Sequence, residues 1–238
     1  MRELTQTLTD ALLEPILARD PAGPRITYYD DATGARIELS ALTLANWAAK
    51  TANLLRDEFG LTPGTRVAVL LPAHWQTAAV LLGCWWAGVE VVLRPDDDAE
   101  LALTTAGRLD EVDHITEVVA LSLDAMGGPV RDLPLGVTDF ATSVRTHRDQ
   151  FHPRGAGLAL DGTSVADTLA QSRESAARQG ISEKDRVLSE APWDTSAEVI
   201  DGLLAVYAAG ASLVQVDNAD PAKRAPRVGT EHVTVSRS

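Results

Sequence analysis

The sequence predicts an α/β protein with mostly parallel sheets sandwiched between helices. Short apolar runs that suit strands alternate with helical patterns along most of the 238 residues, and several helices end at a glycine just before the next strand. The clearest example is a strand over 66–71, a helix over 75–87 that Gly88 ends, and a strand over 90–93. This βαβ order requires parallel strands and a right-handed crossover.

The spacing of apolar residues, together with residues typical of turns and helix caps, predicts the elements before residue 150 in order. Leucines at helical spacing, beginning at Leu4, indicate an amphipathic first helix. Two β-like runs around an Asp/Gly-rich turn indicate a hairpin over 26–39, and Ser40 is a suitable N-cap for a helix over 41–59. After the βαβ unit we expect a helix over 101–109 and a strand over 117–121.

The Gly- and Pro-rich stretch from 124 to 155 predicts a boundary between two segments, 1–150 and 151–238. The second segment repeats the alternation, with a helix over 163–179 and a strand over 186–189. A helix over 198–209 and a strand over 212–216 follow. A short helix over 221–227 and a last strand over 231–235 complete the α/β pattern.

Charge and composition exclude several classes of function. The net charge of −13 repels nucleic acid and anionic membranes, so we expect neither as a partner. A single cysteine, Cys84, permits no internal disulfide and suits a reducing cytoplasm. The N-terminal stretch lacks the apolar core of a signal peptide, and no apolar run reaches the length of a membrane span. We therefore expect a cytoplasmic protein.

Other chemistry-bearing residues favour structural roles. The acidic run over 96–100 lacks the spacing of a calcium loop and suits the start of a helix, and His147 and His152 have no third ligand at a recognisable spacing. No metal site is predicted. The tryptophans, including adjacent Trp85 and Trp86, suit either the core or an interface with a neighbouring subdomain or partner.

Residues 60–93 resemble the adenylate-forming superfamily of acyl-CoA synthetases, adenylation domains and luciferases. The matching motifs are Pro63-Gly64-Thr65-Arg66-Val67-Ala68, Leu71-Pro72 and Ala87-Gly88. Residues 185–216 are similar to the segment that follows the family's phosphate loop. The resemblance implies the family's N-terminal half, with a phosphate loop before the helix at 163–179 that grips ATP through amides, hydroxyls and a lysine.

The sequence departs from the family at the phosphate loop. Asp161, Gly162, Thr163 and Ser164 stand where that loop belongs, with no lysine until Lys184, and Asp161 is an anion where a phosphate would bind. We predict a helix-capping turn instead. Trp193 and Asp194 stand in the segment that lines the family's acyl pocket. The family's adenine and ribose contacts and its C-terminal domain with a catalytic lysine are expected beyond Ser238.

These observations predict a catalytically degenerate protein that acts as a binding or regulatory module, with a protein partner or a second copy of itself. Its vestigial site would comprise Asp161, Gly162, Thr163, Ser164, Trp193 and Asp194, without a required cofactor. The alternative is a ligase, or an acyl- or nucleotide-binding protein, with a non-standard site at these residues. ATP or AMP would be its cofactor only in that case.

Overall fold

The computed structural model describes residues 6–237, which form two largely parallel sheets flanked by helices. The predicted fold class is confirmed. The five-stranded sheet has the order β12-β10-β11-β1-β2, and the seven-stranded sheet has the order β7-β6-β5-β3-β4-β8-β9. Only the hairpin pairs β1–β2 and β8–β9 are antiparallel among the strands described. The strands are β1 (Pro24–Asp30), β2 (Ala35–Ser40), β3 (Arg66–Leu70), β4 (Glu90–Val92), β5 (Leu101–Thr105), β6 (Glu117–Leu121), β7 (Val137–Asp139), β8 (Leu158–Leu160), β9 (Thr163–Ser164), β10 (Arg186–Ser189), β11 (Ser212–Asp217) and β12 (Val235–Ser236).

Helices cover the faces of both sheets. They are α1 (Leu8–Arg19), α2 (Ala41–Asn53), α3 (Trp75–Ala87), α4 (Phe140–Val144), α5 (Val165–Arg178), α6 (Ser196–Val199), α7 (Ala205–Ala208) and α8 (Pro221–Thr230). A π-helical turn over Leu54–Glu58 extends α2, and another over Ile200–Leu204 joins α6 to α7. No helix between residues 6 and 237 combines the length and the apolar character needed to cross a bilayer.

Local signals in the sequence account for most of these boundaries. The Ser40 side chain accepts a hydrogen bond from the Thr43 amide, so the predicted N-cap of α2 is confirmed. Gly88 ends α3 in the left-handed conformation, at φ 79°, as the helix-stop signal requires. The first helix is confirmed over Leu8–Arg19, whereas Leu4 lies outside the described residues.

Two predicted elements are wrong. Residues 101–105 form β5, which lies between β6 and β3 in the seven-stranded sheet, and are followed by a 3₁₀ turn over Ala106–Glu111, instead of a helix over 101–109. The acidic run over 96–100 therefore lies in a loop before a strand. A short apolar run buried on both faces carries no periodicity that separates a strand from a helix. Glu231 likewise ends α8, and the last strand begins only at Val235.

The two sheets share one apolar core. A single cluster of buried side chains contains Ile26 and Leu213 from the five-stranded sheet together with Val67 and Leu103 from the seven-stranded sheet. The expected boundary at residue 150 does not coincide with sheet membership: β1 pairs with β11, which lies beyond residue 185, and β8 and β9 complete the sheet built by the preceding segment. As a domain boundary it stays a prediction.

Candidate functional site

The expected phosphate loop is replaced by a tight hairpin turn. Leu160 at the end of β8 pairs with Thr163 at the start of β9, so only Asp161 and Gly162 connect the two strands. Both turn residues have positive φ, 43° for Asp161 and 83° for Gly162. Asp-Gly is a preferred pair for two-residue hairpin turns of type I′, which need positive φ at both positions. The sequence-predicted turn is therefore present, in the form of a hairpin.

The polar groups of this turn already have partners within the chain. The Asp161 carboxylate accepts hydrogen bonds from Arg94 Nη1, at 2.6 Å, and from Ser196 Oγ at the start of α6. The Gly162 amide donates to Glu90 Oε1 at 2.8 Å. Glu90 is buried, so its carboxylate holds the position that an incoming anion would need to reach this amide.

Arg66 forms ion pairs with Glu90 and with Asp96. Its Nε donates to Glu90 Oε2 at 3.2 Å across the register of β3 and β4, and its Nη1 donates to Asp96. These hydrogen bonds raise the pKa of the Arg66 guanidinium, and the bond to Glu90 has the larger effect. The carboxylate beneath the turn is thus held by an arginine on one side and by the Gly162 amide on the other.

The N-terminus of α5 also has an internal carboxylate. Ser164 is the N-cap, and its Oγ accepts from the Asp167 amide at 3.1 Å while it donates to Asp167 Oδ2 at 2.7 Å. Thr163 lies in β9. The partial positive charge of a helix N-terminus favours anions, and here Asp167 supplies one.

Trp193 and Asp194 do not join this turn in one cleft. Trp193 is 1% exposed, and a Cβ built on Gly202 would lie 2.9 Å from its indole nitrogen, which places the ring in the core against the π-helical turn. Asp194 is exposed, and its amide donates to Glu198 Oε2 at 2.9 Å, beside the capping box that begins α6. The bridge from Ser196 to Asp161 links this helix start to the hairpin.

The remaining tryptophans are mostly structural. Trp75 and Trp85 are each 2% exposed, and their indoles donate to the carbonyls of Ala125 and Ala159. Trp86 is partly buried and donates to Asp10. Cys84 is buried on the same helix, where burial raises the pKa of its thiol. No group of three or more His, Cys, Asp or Glu side chains within residues 6–237 is arranged to hold a metal ion.

Sequence reasoning missed the partners that define this site. Glu90, Arg94 and Ser196 lie far from the turn in sequence and meet it only through the pairing of β4 with β8 and the packing of α6. One signal was present: a glutamate opening the apolar run of β4, opposite an arginine opening β3, indicates a buried ion pair.

The sheet order and the position of the β8–β9 hairpin define a class of protein. The chain has the fold of the N-terminal subdomains of adenylate-forming ligases, and the resemblance that the sequence suggested is confirmed. The anthranilate CoA ligase AuaEII in complex with anthranoyl-AMP matches 98% of the chain with a TM-score of 0.78 and 15% identity. An acyl-CoA synthetase from Brucella canis matches 97% with a TM-score of 0.80 and 18% identity. The chain spans about half the length of these structures, 50% and 47% respectively.

A relative of similar length gives the family. The chain is 57% identical over 236 residues to a protein of Mycobacterium tuberculosis (strain ATCC 25618 / H37Rv) described as a TIGR03089 family protein, covering 96% of this chain and 97% of the relative. It belongs to that family. No family model matches the sequence.

Proposed function

We propose that this chain is a catalytically degenerate form of the adenylate-forming fold, which acts in the cytoplasm as a binding or regulatory module for a protein partner or a second copy of itself. The observation that carries the proposal is the two-residue turn at Asp161 and Gly162, whose polar groups are bound by Glu90, Arg94 and Ser196. The region where the family's phosphate loop would stand has no lysine and presents carboxylates instead.

Energetics support this proposal. A charge-assisted hydrogen bond contributes about 1.5–3 kcal/mol, and loss of one preorganised donor in an active site costs about 10²–10³ in rate. A triphosphate at this turn would have to displace Glu90 from the Gly162 amide and would face Asp161 and Asp167. Each of those contacts opposes ATP binding before any chemistry begins.

The test is ATP–pyrophosphate exchange with fatty and aromatic carboxylic acids, with an active acyl-CoA ligase as positive control. We expect no exchange above background, and no thermal stabilisation by Mg-ATP or AMP beyond that given by inorganic phosphate at the same concentration. Exchange above background would overturn the proposal.

A matched pair of variants locates any nucleotide effect that is observed. Ser164→Ala removes the N-cap of α5 beside the turn, and Ser40→Ala removes the equivalent cap of α2. Nucleotide-dependent stabilisation that Ser164→Ala abolishes and Ser40→Ala retains would show a working site at the turn, contrary to the proposal. The expected result is that the wild-type protein and both variants respond to nucleotide no more than to inorganic phosphate.

A further inference from the structure

A cleft of about 560 Å³ is lined by none of the residues that form the hairpin turn. The residues that begin β1, β10 and β11 line it, so it marks the amino edge of the five-stranded sheet. Arg19, Arg25, Lys184 and Arg186 contribute its cationic groups. We call it the amino-edge cleft. The turn at Asp161, in contrast, follows the carboxyl end of β8.

Arg25 is the unusual member of the cleft. It is 4% exposed, and within residues 6–237 its side chain donates to carbonyl groups and to no carboxylate. Its Nη1 donates to the carbonyls of Gly210 and Ala211, at 2.8 and 2.6 Å, while Nε is buried without a partner. Burial lowers the pKa of this guanidinium. The Asp20 carboxylate acts on Arg25 through its charge without accepting a hydrogen bond from it, so this buried cation keeps the capacity to bind an anion directly.

Two further cations, Arg19 and Lys184, line the same cleft as Arg25. Arg19 Nη2 donates to the same Gly210 carbonyl at 3.2 Å, so two guanidinium groups share one neutral acceptor. Lys184 is exposed and forms no ion pair within the described part of the chain. The guanidinium groups of Arg19 and Arg25 repel one another at this separation, and a bound anion would relieve that repulsion.

Every acidic group that lines the cleft has a partner within the described residues, but Asp20 and Asp185 accept only from neutral amides and hydroxyls. Glu183 pairs with Arg19, and Asp20 accepts from the Gly23 amide. Asp185 accepts from Ser182 and Thr234. Glu38 and Glu231 are bound by Arg36 and Arg186. Among the lysines and arginines of the cleft, Arg25 and Lys184 are those that form no ion pair with a carboxylate of residues 6–237.

We propose that the amino-edge cleft binds a small oxyanion, either inorganic phosphate or the phosphate or carboxylate group of a larger ligand, through Arg25 and Lys184. Guanidinium and ammonium groups together suit such a ligand because the planar fork orients the anion while the lysine adds a mobile charge. The site is separate from the region of the absent phosphate loop, so the inference stands whether or not the proposed function is correct.

Thermal unfolding in inorganic phosphate, against chloride at the same ionic strength, tests the proposal. We expect the Tm of the wild-type protein to rise with phosphate concentration and saturate.

Lys184→Gln should weaken the apparent phosphate affinity about tenfold, in line with loss of one charge-assisted contact. Arg173→Gln is the matched control, because it removes an exposed cation of α5 away from the cleft and should leave the affinity unchanged. An equal response to phosphate and chloride, or an unchanged affinity in Lys184→Gln, would overturn the proposal.

Arg25→Met tests the buried cation directly and should abolish the phosphate response. Since Arg25 also binds two carbonyls, this variant can fail to fold, and a titration of ¹⁵N-labelled wild-type protein provides an independent measurement. Saturable shifts in the amide resonances of Lys184 and Ala211 are expected with phosphate, and acetate in a parallel titration separates a phosphate-selective site from one that accepts carboxylates. Saturable shifts confined to other regions would contradict the assignment.

Discussion

At the scale of single residues, Glu231 shows how this acidic chain uses its arginines. The side chain is 4% exposed and accepts from Arg36 Nε at 2.8 Å, from Arg186 Nη2 at 2.5 Å and from Tyr29 Oη at 2.5 Å. Burial by itself raises the pKa of Glu231, but the hydrogen bonds from Arg36, Tyr29 and Arg186 outweigh it and lower this pKa to about 2. The carboxylate joins the end of α8 to β1, β2 and β10.

Glu231→Gln should destabilise the protein by about 2–4 kcal/mol at neutral pH, because it leaves Arg36 and Arg186 with only part of their counter-charge. Urea unfolding of both proteins measures the loss. Glu174→Gln is the control: Glu174 forms an exposed pair with Arg178 at 3.4 Å, and its replacement should cost less than about 0.5 kcal/mol.

The difference in stability between wild type and Glu231→Gln should depend on pH in a direction that the pKa shift defines. The pKa of Glu231 is about 2 in the folded protein against an ordinary value of 4.5. The stability that its ionised form contributes is therefore complete above about pH 5 and is lost as the pH falls towards 2. The difference between wild type and Glu231→Gln should shrink over that range. A difference that stays constant from pH 6 to pH 3 would contradict this account.

At the scale of elements, the sequence predicts best where a helix carries its own stop signal. The helix over Trp75–Ala87 and the strand over Glu90–Val92 were predictable because Gly88 separates two clear patterns. The strand over Leu101–Thr105 was not, because its residues suit either element and its burial between β3 and β6 decides the outcome. The turn at Asp161 was predictable as a bend. The hydrogen bond between this turn and Glu90 was not, because it depends on the pairing of β4 with β8.

Gly88 allows a prediction that separates backbone strain from steric contact. Gly88 and Gly34 have similar φ, 79° and 77°, but a Cβ on Gly88 would lie 2.4 Å from the Gly155 carbonyl oxygen, while Gly34 has nothing within 4 Å. Gly34→Ala should cost about 1 kcal/mol from φ alone. Gly88→Ala should cost about 2–4 kcal/mol, since the backbone at Gly155 must also move. Chemical denaturation measures the free energy of unfolding of both variants. An equal decrease in the two would mean that the Gly155 backbone moves at no cost in free energy.

At the scale of the whole molecule, the chain leaves the five-stranded sheet after β2 and returns to it only at β10. Between these strands it builds the entire seven-stranded sheet. Periodicity reveals each βαβ step but not which sheet a strand joins, because β1 and β11 are separated by about 180 residues. The sequence therefore predicts the layers and the fold family, while the boundary near residue 150 follows only from local Gly and Pro content.

This interleaving predicts that residues 1–150 and 151–238 will not fold separately. The first fragment would lose β11, which pairs with β1 from Ile26 to Asp30, and the second would lose that partner together with β4. Each would also expose part of a core that both sheets share. Circular dichroism and urea unfolding of the separate fragments should show no cooperative transition, and mixing them should restore one, because the exposed strand edges and apolar faces are complementary. Cooperative unfolding of either fragment alone would instead establish it as an independent domain.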